Sequence, residues 1–558
     1  MTLRRSALLA VGLLLSAAVT AQSRGADGER IARWQRLGYG MFVHWGLYSE
    51  LGGAWQGKPV TKGYSEQIQG WANIPTDDYL KVASRFSATK FDADAICRLA
   101  KDGGARYIVV TSKHHDGFAM FDTRSTDYNV VKRTPFAKDP LKLLSTACRR
   151  IGVGFGVYFS LVDWHAGHAP EVQHNSNPIP LAMEPLIERQ LTELMSNYGP
   201  ITEVWFDMSA PTPEQSRRFA AIVHRLQPQA AINGRIWNNR GDFVTLGDNE
   251  LPPETMQPPF EVPASIYHAT WGYRSWQRRD DLDGKIRELA NGLVQTRAAG
   301  GNYLLNIGPK GDGSVVPFEA DVMHGIGAWL RRHPGLLDAS PSGLPRQPWG
   351  ATLLRGRSLY LVVHDWPGRS LHVAGLANDP VSVGIDGGAA LSWHRDDSDV
   401  VIDLPASRPD GVLPVLRVAL SSPLLVVPAH VVAANADGGY NIGGDAWQPR
   451  TSFSFDSGYL TQTTTKVAID AAIASPRAQE VMLHFLNARA RTDRSYRISI
   501  AGHSRVVTGK ELANHDIGPF ALPASPAVAV GIQLADPAYP AEDIGLSFDS
   551  AEISRRLR

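Results

Sequence analysis

Glu203-Val204-Trp205-Phe206-Asp207 is a short apolar run that begins and ends on a carboxylate. A run of this length, rich in β-branched and aromatic side chains, reads as a buried strand. Two prolines, Pro211 and Pro213, interrupt the chain after it, and residues 213–226 then carry apolar side chains at helical spacing. Proline is favoured at the first position of a helix, so the stretch reads as strand, turn, helix. Asp207 stands where the strand stops.

The same unit recurs on either side. Strands are expected at 40–43, 106–111, 153–160, 230–233 and 302–306. Amphipathic helices are expected at 91–103, 140–151, 184–198, 282–298 and 318–331. Strand and helix alternating over some 300 residues imply a parallel sheet with crossover helices. The size and number of repeats favour an α/β fold of the (β/α)8 barrel type, spanning 28–335, over an open doubly wound sheet. No glycine-rich phosphate fingerprint follows the first strand.

The character changes after Pro334, where Pro341, Pro345 and Pro348 punctuate a linker. Short alternating runs at 358–363, 370–373, 381–385, 400–404 and 416–420 predict an antiparallel β-sandwich over 345–428. Further runs at 466–469, 479–486, 495–500, 528–534 and 544–548 predict a second β-rich, sandwich-like domain over 429–558.

Fifty-six basic residues face 55 acidic ones, so no charge excess marks the chain as a nucleic-acid or anionic-lipid binder. Residues 1–21 read as an export leader: Arg4 and Arg5, an apolar stretch from Ala7 to Ala18, and small residues up to Ala21. No later run is long and apolar enough to span a bilayer. The expectation is a soluble periplasmic or secreted protein. Two cysteines exclude a disulfide scaffold. Cys97 and Cys148 both fall on apolar helix faces, where buried free thiols are expected and a disulfide is the alternative.

Barrel chemistry sits at the C-terminal ends of strands. Here those ends carry His44-Trp45, Lys113-His114-His115-Asp116, Asp163-Trp164-His165 (with Tyr158 in the strand before), Trp205-Phe206-Asp207 and Asn233-Gly234-Arg235. One polar residue after a strand is usually a cap; five such ends in succession, most with an aromatic nearby, suggest a site. Aromatic rings bury apolar sugar faces and polar groups bond directional hydroxyls. Asp207, at the tip of a rigid strand, suits a nucleophile. A second carboxyl group would come from the polar, proline-rich stretch holding Asp242, Asp248, Glu250 and Glu254, or from Glu261. A retaining pair lies closer together than an inverting pair, and sequence alone leaves that separation open. Adjacent histidines on a regular strand face opposite ways, so His114 and His115 read as hydrogen-bonding groups and no metal is expected.

The constellation resembles the α-L-fucosidases of glycoside hydrolase family 29. The matching segments are 40–46, 113–118, 158–160, 203–207, 233–235 and 301–309, in the family's order, with Trp366-Pro367 after them. The segment beyond Pro428 lies outside the resemblance. It implies a retaining exo-glycosidase that removes terminal α-L-fucose from a fucosylated oligosaccharide or glycoconjugate, without a cofactor. It implies Asp207 as nucleophile. His44, His114, His115 and Arg235 would be ligands of the sugar hydroxyls, with Trp205 and Tyr158 around the ring. Glu66 and Trp71 match early substrate contacts. Asp242-Phe-Val-Thr245 matches an element that precedes the acid/base, which points to Asp248 or Glu250. Glu261 is a third candidate, as a substrate contact or a structural support. The competing readings are a carbohydrate-binding barrel without turnover, a glycosidase for a related sugar such as an α-L-galactoside, and a metal hydrolase built on the histidine pair.

Overall fold

The computed structural model describes residues 27–556 apart from 171, 173–176, 254–255, 397–398, 428–429 and 456–461. The leader read at 1–21, Glu254 and the boundary at 428/429 lie outside the described residues.

Eight strands form one sheet: β1 Tyr39–Val43, β2 Tyr107–Lys113, β3 Gly154–Ser160, β4 Glu203–Asp207, β5 Ala231–Ile232, β6 Val244–Thr245, β7 Phe260–Ser265 and β8 Asn302–Ile307. Their order is β5-β4-β3-β2-β1-β8-β7-β6, every named pair is parallel, and a parallel bridge from Asn233 to Phe243 joins the two outer strands. This is the (β/α)8-type barrel the alternation predicts. Gly40 shows how tightly the interior is filled: a Cβ there would lie 2.5 Å from the Tyr107 ring, so only glycine lets that ring cross the barrel.

The helices form for local reasons. In α1 (Ala93–Asp102), Asp92 accepts from the amide of Ala95, and Ile96, Cys97, Leu99 and Ala100 make the buried stripe. In α2 (Pro140–Ile151), Asp139 caps the start, proline takes the first turn, and Gly152 closes the end in the left-handed conformation at φ 84°. α3 (Glu184–Asn197) and α4 (Pro213–Leu226) follow, the latter capped by Thr212, which leaves Asp207 free of that duty. α5 (Leu282–Ala298) and α6 (Pro317–Arg332) flank β8. Each fully buried Leu or Ile on such a face contributes about 1.5–3 kcal/mol, so the stripes hold the helices to the barrel.

Cys97 of α1 and Cys148 of α2 form a disulfide. The expectation of two free thiols is thus corrected: both lie on helix faces turned toward each other, and α1 packs on α2 at that point.

Beyond the barrel, a six-stranded and a three-stranded sheet enclose a second core around Leu361, Val373, Ile402 and Val418. A four-stranded and a five-stranded sheet enclose a third around Ile442, Phe485, Ile498 and Ile532. The strand expected at 544–548 is instead irregular, and the sheet strand is Ser550–Arg555. Ile544 and Leu546 alternate inward without a continuous ladder, because Gly545 takes φ 54° between them. Strands Gln448–Phe455 and His503–Thr508 had no clear apolar signal; the burial of the second of these is slight throughout.

Candidate active site

A cavity of about 110 Å³ opens at the C-terminal ends of the barrel strands. That is well below the roughly 300–1,000 Å³ of a drug-sized site, so it fits one small unit. His44, Glu66, His114, His115, Tyr158, Trp205, Asp207, Arg235 and Asp248 all line it.

Asp207 ends β4, and both its oxygens are held. Tyr158 Oη donates to Oδ2 at 2.7 Å, and Arg235 Nη1 donates to Oδ1 at 2.9 Å. Burial beside this carboxylate raises the Tyr158 phenol well above its ordinary value, so it stays a donor. The second arm of Arg235 reaches Asp248 Oδ1, also at 2.9 Å, and the guanidinium lies over the Trp205 ring at 4.8 Å.

The histidines are neutral and oriented. Asn306 Nδ2 donates to the carbonyl of Trp271, so its Oδ1 accepts from His44 Nδ1 at 2.7 Å. Ser160 spends its hydroxyl proton on the Val162 carbonyl and accepts from His115 Nδ1 at 2.7 Å. Each imidazole thereby keeps Nε2 as a lone-pair acceptor, the form that takes a hydroxyl proton. Burial pushes His44 down to about 4, only partly offset by Asn306 and Asp207. Burial, with the charges of Lys113 and Arg235, brings His115 to about 3, and burial holds His114 well below the usual range. The pairing of β2 with β3 is irregular between Thr111 and Lys113, just where the strand ends. Both adjacent histidines therefore face one cavity, their rings 4.0 Å apart, instead of opposite sides.

Glu66 lies in a 3-10 turn, and its Oε2 accepts from the amides of Trp271 and Gly272 at 3.1 and 2.8 Å. Burial outweighs those bonds and pushes it up to about 7.

Four residues named from the sequence stand elsewhere. Glu261 is fully buried inside the barrel and does not line the cavity: Oε1 accepts from Tyr107 Oη at 2.5 Å and Oε2 from Trp205 Nε1 at 3.0 Å. It supports the floor because β7 pairs it inward, opposite Asn302. Its neighbour Glu203, pushed well up by burial and by that carboxylate, accepts from Trp34 Nε1 at 2.6 Å. Glu250 is exposed on the connection after β6, its carboxylate folded back over Gly247, outside the cavity. Trp71 packs on Gly63 and donates to Gln67 Oε1, likewise outside it. Asp242 is spent on Arg30 and His224 away from the cavity.

Phe42, Tyr64, Gln67, Met208 and Trp271 also line the cavity and were not singled out in the sequence. Phe42 was reachable, since it lies two positions before His44 on one strand face. Trp271 was not, because it comes from an irregular stretch after β7.

A family model described as alpha-L-fucosidase matches residues 15–334. The tissue alpha-L-fucosidase of Rattus norvegicus is 27% identical over 455 residues, covering 72% of this chain and 95% of its own. An alpha-L-fucosidase structure from Vibrio sp. strain EJY3 superposes over 95% of this chain and 98% of its own with a TM-score of 0.65 at 23% identity, a likeness of fold that includes the C-terminal units. A trapped covalent intermediate of a GH29 alpha-L-fucosidase from Bacteroides thetaiotaomicron, in complex with 2-fluoro-fucosyl fluoride, is 25% identical, covering 70% of this chain and 96% of its own at a TM-score of 0.62.

Proposed function

The chain belongs to the α-L-fucosidase family of glycoside hydrolases, and on that premise we propose that it is a retaining exo-glycosidase releasing terminal α-L-fucose from a fucosylated glycan. The observation that carries the reading is the clamp on Asp207: one oxygen bonded by Tyr158 and the other by Arg235, at the tip of a buried strand.

In the mechanism, Asp207 attacks the anomeric carbon as the glycosidic bond breaks, giving a fucosyl ester. Asp248 gives a proton to the departing oxygen, then takes one from the water that cleaves the ester. Two carboxyl groups besides Asp207 line the cavity. Asp248 is the better acid on grounds of position. In an exo-enzyme the leaving group points to solvent, and the Asp248 side chain is 30% exposed at the rim, whereas Glu66 is 2% exposed and tied to two amides. Arg235 touches both acting carboxylates, so a sugar that parts Asp248 from it leaves the guanidinium on the nucleophile alone. His44 and His115 accept hydroxyl protons, bonds that tighten as oxocarbenium charge withdraws electrons from the ring. No step requires a metal or organic cofactor.

The bonded Cys97 and Cys148 and the leader-like residues 4–21 support an exported, oxidising location as part of the same proposal.

The decisive experiment is hydrolysis of an aryl α-L-fucoside followed by NMR. The first-formed sugar should be the α-anomer. A β-anomer would exclude retention, and equal turnover of the α-L-galactoside would exclude fucose selectivity.

A further inference from the structure

Parallel barrel strands need cover on their outer face as well as inside. Between the other neighbouring strands of this barrel a helix provides it. From β5 to β6 the chain has only a 3-10 turn, Gly234–Ile236, and among the described residues of 246–259 there is no helix at all. The third unit fills this gap. Its Ala541 is 3% exposed and joins the barrel's own core, and Phe453 and Tyr539 pack against that core. The Gln257 amide donates to the Thr451 carbonyl at 2.9 Å, Met256 bridges to Thr451, and Ser454 Oγ bonds Asn239 Oδ1 at 3.1 Å.

The covered loop is strained and carries Arg235. Trp237, Asn238 and Asn239 have φ of 63°, 52° and 53° in succession. Trp237 combines φ 63° with ψ −179°, a region that is essentially glycine's. Such a backbone persists only where its surroundings over-determine it. On the barrel side Ser216 Oγ holds the Ile236 carbonyl, and Asn238 Nδ2 bonds Pro211 O and Ser216 Oγ. On the other side stand Ser454, Phe453 and Tyr539. In the third unit Tyr440, Trp447, Phe485, Tyr496 and Phe520 are buried and Phe453, Tyr539 and Phe548 half-buried, so none of these rings lies open for a sugar to stack on.

We propose that the third unit, 430–556, is a working part of the active site: it replaces the missing crossover helices and clamps the 237–239 loop, and so holds Arg235 between Asp207 and Asp248. Phe453, Ser454 and Tyr539 are positioning residues in this account. Its kinetic part rests on the fucosidase reading above; its structural part does not.

The test uses the full chain carrying Phe453→Ala with Tyr539→Ala, side chains outside the third unit's own core. Amide hydrogen exchange across 234–243 should rise at least tenfold while the strands β1 to β4 keep their protection. The kcat on an aryl α-L-fucoside should fall about tenfold with KM within twofold, and Phe453→Leu with Tyr539→Phe should restore both readouts. Unchanged exchange at 234–243 overturns the clamp, whatever the activity. Raised exchange with kcat within twofold of the parent overturns the link to Arg235. If the parent chain cleaves no α-L-fucoside, the fucosidase reading falls and the exchange result still decides the clamp. Ser454→Ala, which removes a single hydroxyl, gives the same comparison at about threefold should the double variant fail to fold.

Discussion

Asp207 and Asp248 are bound to opposite nitrogens of one guanidinium, each at 2.9 Å. They come from a strand end and from an irregular connection some forty positions later, and Arg235 is what brings the two into one electrostatic unit. The pair faces a cavity small enough for one sugar ring, and separate roles for the two acids follow from how differently each is held.

Asp207 has no substitute within the cavity at the strand tip, so Asp207→Ala should lower kcat/KM by about three powers of ten or more, some 4 kcal/mol of transition-state stabilisation, while the chain still folds cooperatively. Added azide should restore turnover of an aryl fucoside and yield the β-fucosyl azide. A variant retaining a tenth of the parent's rate would remove Asp207 from the nucleophile's role.

The acid assignment separates on leaving groups. Asp248→Asn should lose about a hundredfold or more on a natural oligosaccharide and far less on a nitrophenyl fucoside, whose leaving group needs little proton assistance. Glu250→Gln should stay within threefold on both, because its side chain lies outside the cavity. The opposite ranking would transfer the role to Glu250.

Glu261 works through Trp205. Glu261→Ala leaves the Trp205 N–H and the Tyr107 O–H buried without their acceptor, at about 1–3 kcal/mol for each such group. Denaturant melts should show that loss, with kcat down about tenfold because Trp205 backs the Arg235 guanidinium. Glu261→Gln keeps an acceptor oxygen and should stay within about threefold; equal damage from both variants would refute this route.

Glu66 gives a pH signature. Burial raises its folded value from 4.5 to about 7, so between those values the folded chain holds a proton the unfolded chain has released. Its contribution to stability is complete below pH 4.5 and declines as pH rises to 7, by up to about 1.4 kcal/mol per pH unit. Glu66→Gln removes that slope while its amide oxygen still accepts from Trp271 and Gly272. Chemical melts from pH 4.5 to 8 should show the variant gaining on the parent up to about pH 7 and then running level; parallel curves would mean that Glu66 does not titrate there.

The disulfide closes a loop with a sequence separation of 51, which by chain entropy restrains the unfolded state by about 4 kcal/mol. Cys97→Ala with Cys148→Ala, or reduction of the parent chain, should lower stability by an amount of that order in denaturant melts while leaving KM unchanged. No difference between reduced and oxidised parent would show that the two thiols are not bonded in solution.

The barrel and the tip residues were legible because both are local. Apolar runs of strand length, helical spacing and polar residues at run ends are patterns within a few neighbours, and they gave Asp207, His44, His114, Tyr158 and Arg235 their places. Glu250, Glu261 and Trp71 stand outside the cavity, Glu261 in the supporting role that was its other reading. They were judged by their segments, but which way a side chain faces depends on the contacts it makes once folded: Gly247 beneath Glu250, Asn302 beside Glu261, Gly63 beneath Trp71. That the cysteines pair, where free thiols were the first expectation, was set by helix packing, and an irregular strand pairing is what turns His115 to the same cavity as His114, the place the family resemblance implied for it.

Sequence by itself determined the alternating strand–helix order, the carboxylate at the end of β4 and the family, since each is written in consecutive residues. Tertiary structure alone decided that Arg235 bridges Asp207 to Asp248, that Glu261 lies under the site, and that a distant β unit covers the strands lacking helices. Those relations join residues far apart in the chain, and only the closing of the barrel brings them within hydrogen-bond reach.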